Sequence, residues 1–386
     1  QALNQDDEAE PYRDAARTFD RLEPAYLSTL AVFAGHGLHP LVLMTARGYH
    51  FVLKAVRGTP LHASLVEMGP LGPSLPRRCE RMGVGVAAGL EMCRAHEGAG
   101  RLLEHLVHEI GRDLAGRSAV PVMLADLRPP GGGPFLGFDL SAYADPVFVR
   151  STRCAFSSDQ TALVGGFEVR DPVVLVLPRG KEPLGALLRA RLGAERAQAL
   201  AETADARVPA AAGGAECVQA YRAAPLARFH HAFDEACESD PRAGPRAYEA
   251  LDLGNLPACA VLPLRAPNPA LLRAGGLRSV ALALWARGWH PRAIAALVRS
   301  RYARPFAWGS YWHRYDAESR ARFYVRLCCG ALAAGAEDAG AFTCDTQRAR
   351  GLCVAADCGF DLARAWEARG RYGVVRRRHI EDEGEP

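Results

Sequence analysis

The chain has 386 residues, of which 49% are hydrophobic and 23% charged, and its net charge is only +4. That is enough for two or three domains with cores of their own, in a folded rather than a disordered protein. No run of about 18 apolar residues occurs, which excludes a membrane-spanning helix, and the start at Gln1, without a signal-peptide pattern, reads as trimmed. Nearly all of the 47 basic residues are arginine, which suits planar, bidentate phosphate contacts, although coding bias toward Ala and Arg accounts for the same excess. Eleven cysteines without a secretion signal point to a reducing, cytoplasmic compartment, where thiols stay free or bind metal.

Residues 1–16 are acidic and polar, with Asp6, Asp7, Glu8, Glu10 and Asp14, and no apolar strand is expected before Thr18. From 18 to 35, Phe19, Leu22, Tyr26, Leu30 and Phe33 keep helical spacing, and Gly35 and Gly37 end the helix. Leu41-Val42-Leu43-Met44 reads as a short buried strand. The turn Thr45-Ala46-Arg47-Gly48 then enters an alternating strand. Tyr49, Phe51, Leu53 and Ala55 share one face; His50, Val52, Lys54 and Val56 share the other. Arg47, His50 and Lys54 on one surface make a seat for a triphosphate; the alternative is a half-buried strand with a satisfied histidine.

A helical region covers 84–114, with Leu90, Leu102, Leu103, Leu106, Val107 and Ile110 on its apolar side. A strand over 120–124 leads through a Pro/Gly loop to Phe135-Leu136-Gly137-Phe138-Asp139-Leu140. Asp139 is either a ligand or a turn-initiating cap, and local chemistry does not separate the two. Asp145, before Pro146, reads as a turn residue. Residues 147–156 continue in β-like composition, with Arg150 and Arg153 on opposite faces, and 173–177 is a last strand. Alternation of strands and helices to this point predicts a two-layer domain over 1–178.

Residues 179–254 are Ala/Arg-rich and predicted helical, interrupted at 209–214, and read as a connector. A helical domain follows over 255–365: Leu277, Val280, Ala281, Leu284 and Trp285 keep helical spacing, Gly288 ends that helix, Pro291 opens a second, and 323–332 forms a third. Residues 366–386, with Arg376-Arg377-Arg378 and then Glu381-Asp382-Glu383, read as a solvated tail. Cys344, Cys353 and Cys358 put three thiols within fifteen residues, and structural zinc and iron–sulfur cubanes both favour four ligands, with Cys259, Cys328 and Cys329 as candidates for the fourth. Cys328 and Cys329 lie in an apolar run and read as small core residues, as do Cys79, Cys93, Cys217 and Cys237 as structural thiols. Arg278, Arg299, Arg301 and Tyr302, followed by Trp308, Tyr311, Trp312 and His313, set basic groups beside rings that stack on bases or pack a helical core.

Two parts of the chain carry a family resemblance. Arg47-Gly48-Tyr49-His50 resembles the second motif of archaeo-eukaryotic-type primases, in which an Arg-Gly-any-His turn and strand contacts the incoming nucleotide. Phe138-Asp139 resembles their third motif, and Arg153-Cys154-Ala155-Phe156-Ser157 is similar to the arginine-to-serine segment that follows it. Leu256-Pro257-Ala258-Cys259, the two helices around Gly288, and the Cys-x6-Gly-Leu-Cys-x4-Cys run resemble the C-terminal domain of the primase large subunit. The resemblance covers about 18–178 and 255–360. It implies an α+β protein, a primase-type two-layer catalytic domain followed by a mainly helical, cysteine-ligated metal domain.

The activity so implied is template-directed nucleotidyl transfer, in which a primer 3′-hydroxyl attacks an α-phosphate with Mg²⁺ or Mn²⁺. Asp139 would hold the metal, Arg47 and His50 would bind the triphosphate, and Arg153 and Ser157 would add nucleotide contacts. Cys259, Cys344, Cys353 and Cys358 would ligate a [4Fe–4S] cluster, with Zn²⁺ as the alternative because spacing does not name the metal. Single-stranded DNA template, nucleoside triphosphates and helicase or other replication proteins would be the partners, and no membrane is involved. Two departures matter. The family's Asp-any-Asp motif, expected upstream of Gln1, has only Asp6 and Glu8 as a stand-in, and Asp159 falls where the segment usually carries histidine. A catalytically degenerate protein that binds single-stranded nucleic acid, with a zinc or iron–sulfur structural site, is the second class of function; a zinc-stabilised helical interaction protein is the third.

Overall fold

The computed structural model describes residues 1–369 apart from 73, 82, 84, 125–126, 130–131, 148–152, 161–162, 164, 168, 170, 178–182, 237–247, 249–251, 268–270, 309–315, 339–341 and 354–357. The protein is mixed α+β, with small sheets and many helices. It divides into two compact units, Gln1–Ala220 and Tyr221–Pro386. That boundary falls inside the stretch read as a connector, whose helices are shared out between the units. Among the described residues no helix is long and apolar enough to cross a membrane.

Among its described residues, unit one holds two three-stranded sheets. The first has the order β1 (Ala2–Asn4), β5 (Pro134–Phe138), β4 (Val122–Leu124), with β1 antiparallel and β4 parallel to the central β5. The second runs β3 (Tyr49–Val52), β2 (Leu41–Met44), β6 (Leu175–Val176), antiparallel throughout. The strand β1 corrects the expectation that nothing before Thr18 enters a sheet. Ala2, buried, pairs with Leu136, so three residues with little β signal of their own are held by the ladder of β5.

The sheet of β2 is covered by a long helix because of aromatic periodicity on both partners. After α1 (Glu10–Arg13), α2 (Ala15–Gly35) begins where the Asp14 side chain accepts from the Arg17 amide, and ends before Gly37 at φ 65°. Its Phe19, Tyr26 and Phe33 meet the odd-numbered face of β3: Phe19–Tyr49 centroids lie 5.3 Å apart, Tyr26–Tyr49 4.6 Å and Phe33–Phe51 5.9 Å. The even face turns the other way. Val52 packs with Leu41, Leu43, Val174 and Val176, and His50 stands opposite Leu43 in the register. Lys54, expected beside His50, lies beyond the strand; its amide and carbonyl bond Pro209 and Ala211, and its side chain is exposed.

Three helices build the rest of the unit's first half: α3 (Pro60–Met68), α4 (Leu75–Arg81) and α5 (Val86–Leu114). The α3–α5 crossing is close enough that a Cβ on Gly98 would meet the Leu65 carbonyl oxygen at 2.0 Å. Cys79 and Cys93 are buried at the α4–α5 contact with sulfurs 4.0 Å apart. Asp145 does turn the chain, accepting from the Val147 amide at 3.0 Å, and also forms a buried ion pair with Arg78 at 2.6 Å. The β-strand expected through 147–156 is corrected where it can be described. Phe156 takes φ 60°, a left-handed conformation that breaks a strand; Arg150 lies outside the described residues. The short helices α6 (Leu184–Ala190) and α7 (Ala194–Thr203) follow, and α8 spans Gly214–Ala223.

Unit two is helical, comprising α9 (Pro225–Glu235), α10 (Ala258–Arg265), α11 (Ala274–Ala286), α12 (Pro291–Tyr302), α13 (Ala317–Ala333), α14 (Cys344–Ala349) and α15 (Leu362–Arg369). α11 is apolar nearly all round and accordingly sits at the centre, packed by α10, α12, α13 and α15. Gly288 at φ 92° ends it, and the His290 ring accepts from the Arg292 amide to start α12 at Pro291. Cys328 and Cys329 lie buried within α13, as small core residues do. Cys237, Tyr311, Trp312, His313 and the basic and acidic tail lie outside the described residues.

Candidate functional site

The Arg47 turn is closed by its own chemistry. The Thr45 amide donates to the Gly48 carbonyl at 2.8 Å and its hydroxyl does so at 3.1 Å, linking β2 to β3 over four residues. The backbone of Gln1 and Ala2 then crosses directly over the turn. The Ala2 amide donates to the Arg47 carbonyl at 2.8 Å, while Gln1 exchanges hydrogen bonds with Gly137 at 2.8 and 2.9 Å. Gly48 is required for this approach, since a Cβ there would lie 2.7 Å from the Gln1 Cα. The Gln1–Ala2 backbone therefore ties the hairpin of β2 and β3 to β5, the strand that ends at Asp139.

The charges that result share one neighbourhood. Asp139 and Arg47 both lie close enough to the Gln1 backbone nitrogen to act on it electrostatically. The His50 imidazole is pushed below its ordinary value first by burial, then by Arg153, against the opposing carboxylates of Asp139 and Asp159. Asp139 and Arg47 thus share Gln1 as a neighbour, and His50 feels both Arg153 and Asp139, although these four residues are separated by up to 106 positions in sequence. An imidazole and two guanidiniums beside one exposed carboxylate form a cationic surface suited to phosphate oxygens.

Of the two readings left open for Asp139, the structure shows the turn-initiating one. Its Oδ1 accepts from the Ser141 amide at 2.9 Å and from the Ser141 hydroxyl, an Asx turn, while the residue stays exposed at the end of β5. Ser157, expected at a nucleotide, gives its hydroxyl to the Cys154 carbonyl at 2.7 Å. Arg153 directs its Nε to Asp159 at 2.9 Å. The acidic stand-ins are elsewhere. The Asp6 carboxylate accepts from the Gly133 amide at 3.0 Å, and Glu8 lies 4.0 Å from Arg128. Among the described residues no three His, Cys, Asp or Glu side chains stand so as to hold a metal ion.

Two residues that sequence reasoning undervalued hold the turn from below. Asp159 Oδ2 accepts from the Ala46 amide at 3.0 Å, and Arg191 Nη2 donates to the Ala46 carbonyl at 3.1 Å. Both side chains are 2% exposed. The backbone places them together: 156–159 runs beside 172–174, and the Val173 amide donates to the Arg191 carbonyl at 2.8 Å. Arg191 lies 145 positions from Ala46, at the C-terminal end of α6 in the Ala/Arg-rich stretch, where no periodicity marks it. A second unnoticed group joins α2's end to α5: His36 Nε2 is 2.7 Å and His105 Nε2 3.4 Å from the two Glu109 oxygens.

In unit two the structure relates the thiols of the cysteine pattern in part, without setting three of them as a metal site among the described residues. Cys344 and Cys358 both point at the Phe360 carbonyl, at 3.8 and 3.9 Å, and the Leu362 amide donates to the Cys344 sulfur at 3.5 Å. Cys259 on α10 is buried; burial, then Cys353 and Cys344, push its thiol up to about 12. A capping box, Thr343 with Thr346, opens α14 at Cys344 and sets that sulfur's position. Arg278, expected to face phosphate, is instead buried against Glu337 and the Phe342 ring. Arg301 is buried and donates to the Tyr248 carbonyl, and Trp308 gives its indole N–H to Arg304. Compared with protein-family models, curated proteins and solved structures, the chain matches none.

Proposed function

We propose that the chain is a primase-polymerase-type nucleotidyl transferase whose first unit seats a nucleoside triphosphate on the Arg47 turn. The observation that carries this reading is the Gln1–Ala2 backbone crossing, which ties the Arg47 turn to the strand that ends at Asp139, with His50 feeling both Arg153 and Asp139. Arg47 supplies a guanidinium fork to phosphate oxygens, and neutral His50 supplies an N–H donor or, on taking a proton, a second cation. Asp139 is the carboxylate that would hold Mg²⁺ or Mn²⁺ against those oxygens, and a divalent ion there supplies Lewis-acid polarisation of the phosphoryl group. A two-metal site needs a second carboxylate; Asp159 is committed to Ala46 and Arg153, and Asp6 to Gly133, so no step through paired metals follows from these residues.

In the second unit, Cys259, Cys344, Cys353 and Cys358 are the ligand set for a [4Fe–4S] cluster, or for Zn²⁺. Cys344 and Cys358 share the Phe360 carbonyl and Cys259 feels Cys353 and Cys344, thiol donors that suit either soft-ligand group, although among the described residues no three of them stand as a ready metal site. Either would act as a cross-link between α10 and the segment that ends at α15. Single-stranded DNA template is the partner that a primase reading requires, with helicase or other replication proteins around it.

The test is primer extension by the full chain on a single-stranded template with Mg²⁺ or Mn²⁺. Extension that disappears in Asp139→Ala, with thermal unfolding unchanged, supports the reading; extension that survives Asp139→Ala overturns the catalytic assignment. The engagement of Asp6 and Glu8 away from Asp139 favours a second reading, a degenerate single-strand binder. It predicts binding of triphosphate and single-stranded DNA with no extension by the wild-type chain.

A further inference from the structure

The Thr45–Gly48 hydrogen bonds suffice to close a four-residue hairpin loop, yet two buried charges also grip it. Asp159 takes the Ala46 amide and Arg191 the Ala46 carbonyl, so the peptides on both sides of Ala46 are held from the interior. Ala46 itself is 1% exposed, and the next residue, Arg47, is half-buried. Burying a carboxylate and a guanidinium carries a desolvation cost that a well-packed apolar pair avoids. Arg191 also lies over the Phe19 ring at 5.0 Å, which anchors the clamp to α2, and Asp159 holds Arg153 with its other oxygen. The same carboxylate thus sets both arginines of the cationic surface, one through the backbone and one directly.

We propose that Asp159 and Arg191 are positioning residues for phosphate binding, fixing the direction in which Arg47 leaves the turn. The inference rests on the reading that this surface seats a triphosphate. Its chemistry is general: a guanidinium fork matches phosphate oxygens only at a set angle, and a locked backbone keeps that angle without loss of entropy on binding.

The experiment is a double-mutant cycle read by calorimetric titration of inorganic tripolyphosphate into the full chain. Asp159→Asn keeps an oxygen for the Ala46 amide but removes the charge, and is expected to weaken binding about tenfold or more. In that background Arg47→Ala should cost several-fold less than it costs in the wild type, because a misdirected arginine has less to lose. Hydrogen exchange at the Ala46 and Arg47 amides should quicken in the free variant. Because Asp159→Asn leaves Arg191 buried without its counter-charge, the charge-neutral Asp159→Asn/Arg191→Met pair serves as a second, foldable variant with the same expectation. Additive effects of Asp159→Asn and Arg47→Ala, or unchanged affinity in both clamp variants, overturn the inference while leaving the phosphate reading standing. No binding by the wild-type chain overturns the phosphate reading and the inference with it.

Discussion

The Ala2 amide donates to the Arg47 carbonyl across 2.8 Å, and 45 positions of sequence are thereby closed onto a single crossing point. On one side of it lies the hairpin carrying Arg47 and His50; on the other lies β5, whose end carries Asp139. The crossing depends on Gly48, whose missing side chain is the space that the Gln1 Cα occupies. Gly48 in the Arg-Gly-Tyr-His string is therefore explained by packing, as its φ does not lie in the left-handed region.

Gly48→Ala should force β1 off the turn. A methyl 2.7 Å from a backbone carbon must displace it, at a cost of about 1–3 kcal/mol typical of overpacking. Denaturant unfolding measures the loss, and tripolyphosphate affinity should fall alongside it. Unchanged stability would show that β1 is not held against the turn.

Phosphate binding should tighten as pH falls. The His50 imidazole is pushed below its ordinary value of 6.5, because burial and Arg153 oppose its charge. A bound polyanion favours the protonated ring and raises its pKa, so binding takes up a proton in the window below 6.5. Titrations between pH 7.5 and about pH 5 should show affinity rising toward acid, with the slope flattened in His50→Gln. For the free protein the sign is opposite. A depressed imidazole resists protonation when folded, so His50 weakens the fold as pH drops through 6.5.

Breaking the Arg78–Asp145 pair should be costly. Its side chains are 11% and 6% exposed at 2.6 Å, and Arg78→Ala leaves a buried carboxylate without its partner, a loss of about 3–5 kcal/mol in urea unfolding. Removing Arg13 from its solvent-exposed pair with Asp7 should leave stability unchanged in the same assay.

The cysteine set makes a compositional prediction. Protein purified without oxygen should carry visible absorbance and about four irons per chain, and serine at Cys259, Cys344, Cys353 or Cys358 should lower both. Serine at Cys328, which is buried within α13, should leave metal content intact. A colourless preparation with stoichiometric zinc would decide for the alternative ion.

Much of the architecture was legible from local chemistry. The 3.6-residue rhythm of Phe19, Leu22, Tyr26 and Phe33 marks α2, and the alternation of Tyr49 and Phe51 marks the face of β3 that meets it, because both patterns reflect burial along one side of one element. Gly288 and Pro291 delimit α11 and α12 for reasons confined to their own backbones. What stayed hidden depends on partners remote in sequence. β1 lacks apolar flanks and becomes a strand only because β5 offers it hydrogen bonds. The same is true of the roles of Asp159 and Arg191: a buried carboxylate and guanidinium gain their meaning from the Ala46 peptide 113 and 145 positions away, and no spacing rule spans such a distance. Periodicity records which way a residue faces, whereas convergence of charges is a property of the folded chain alone.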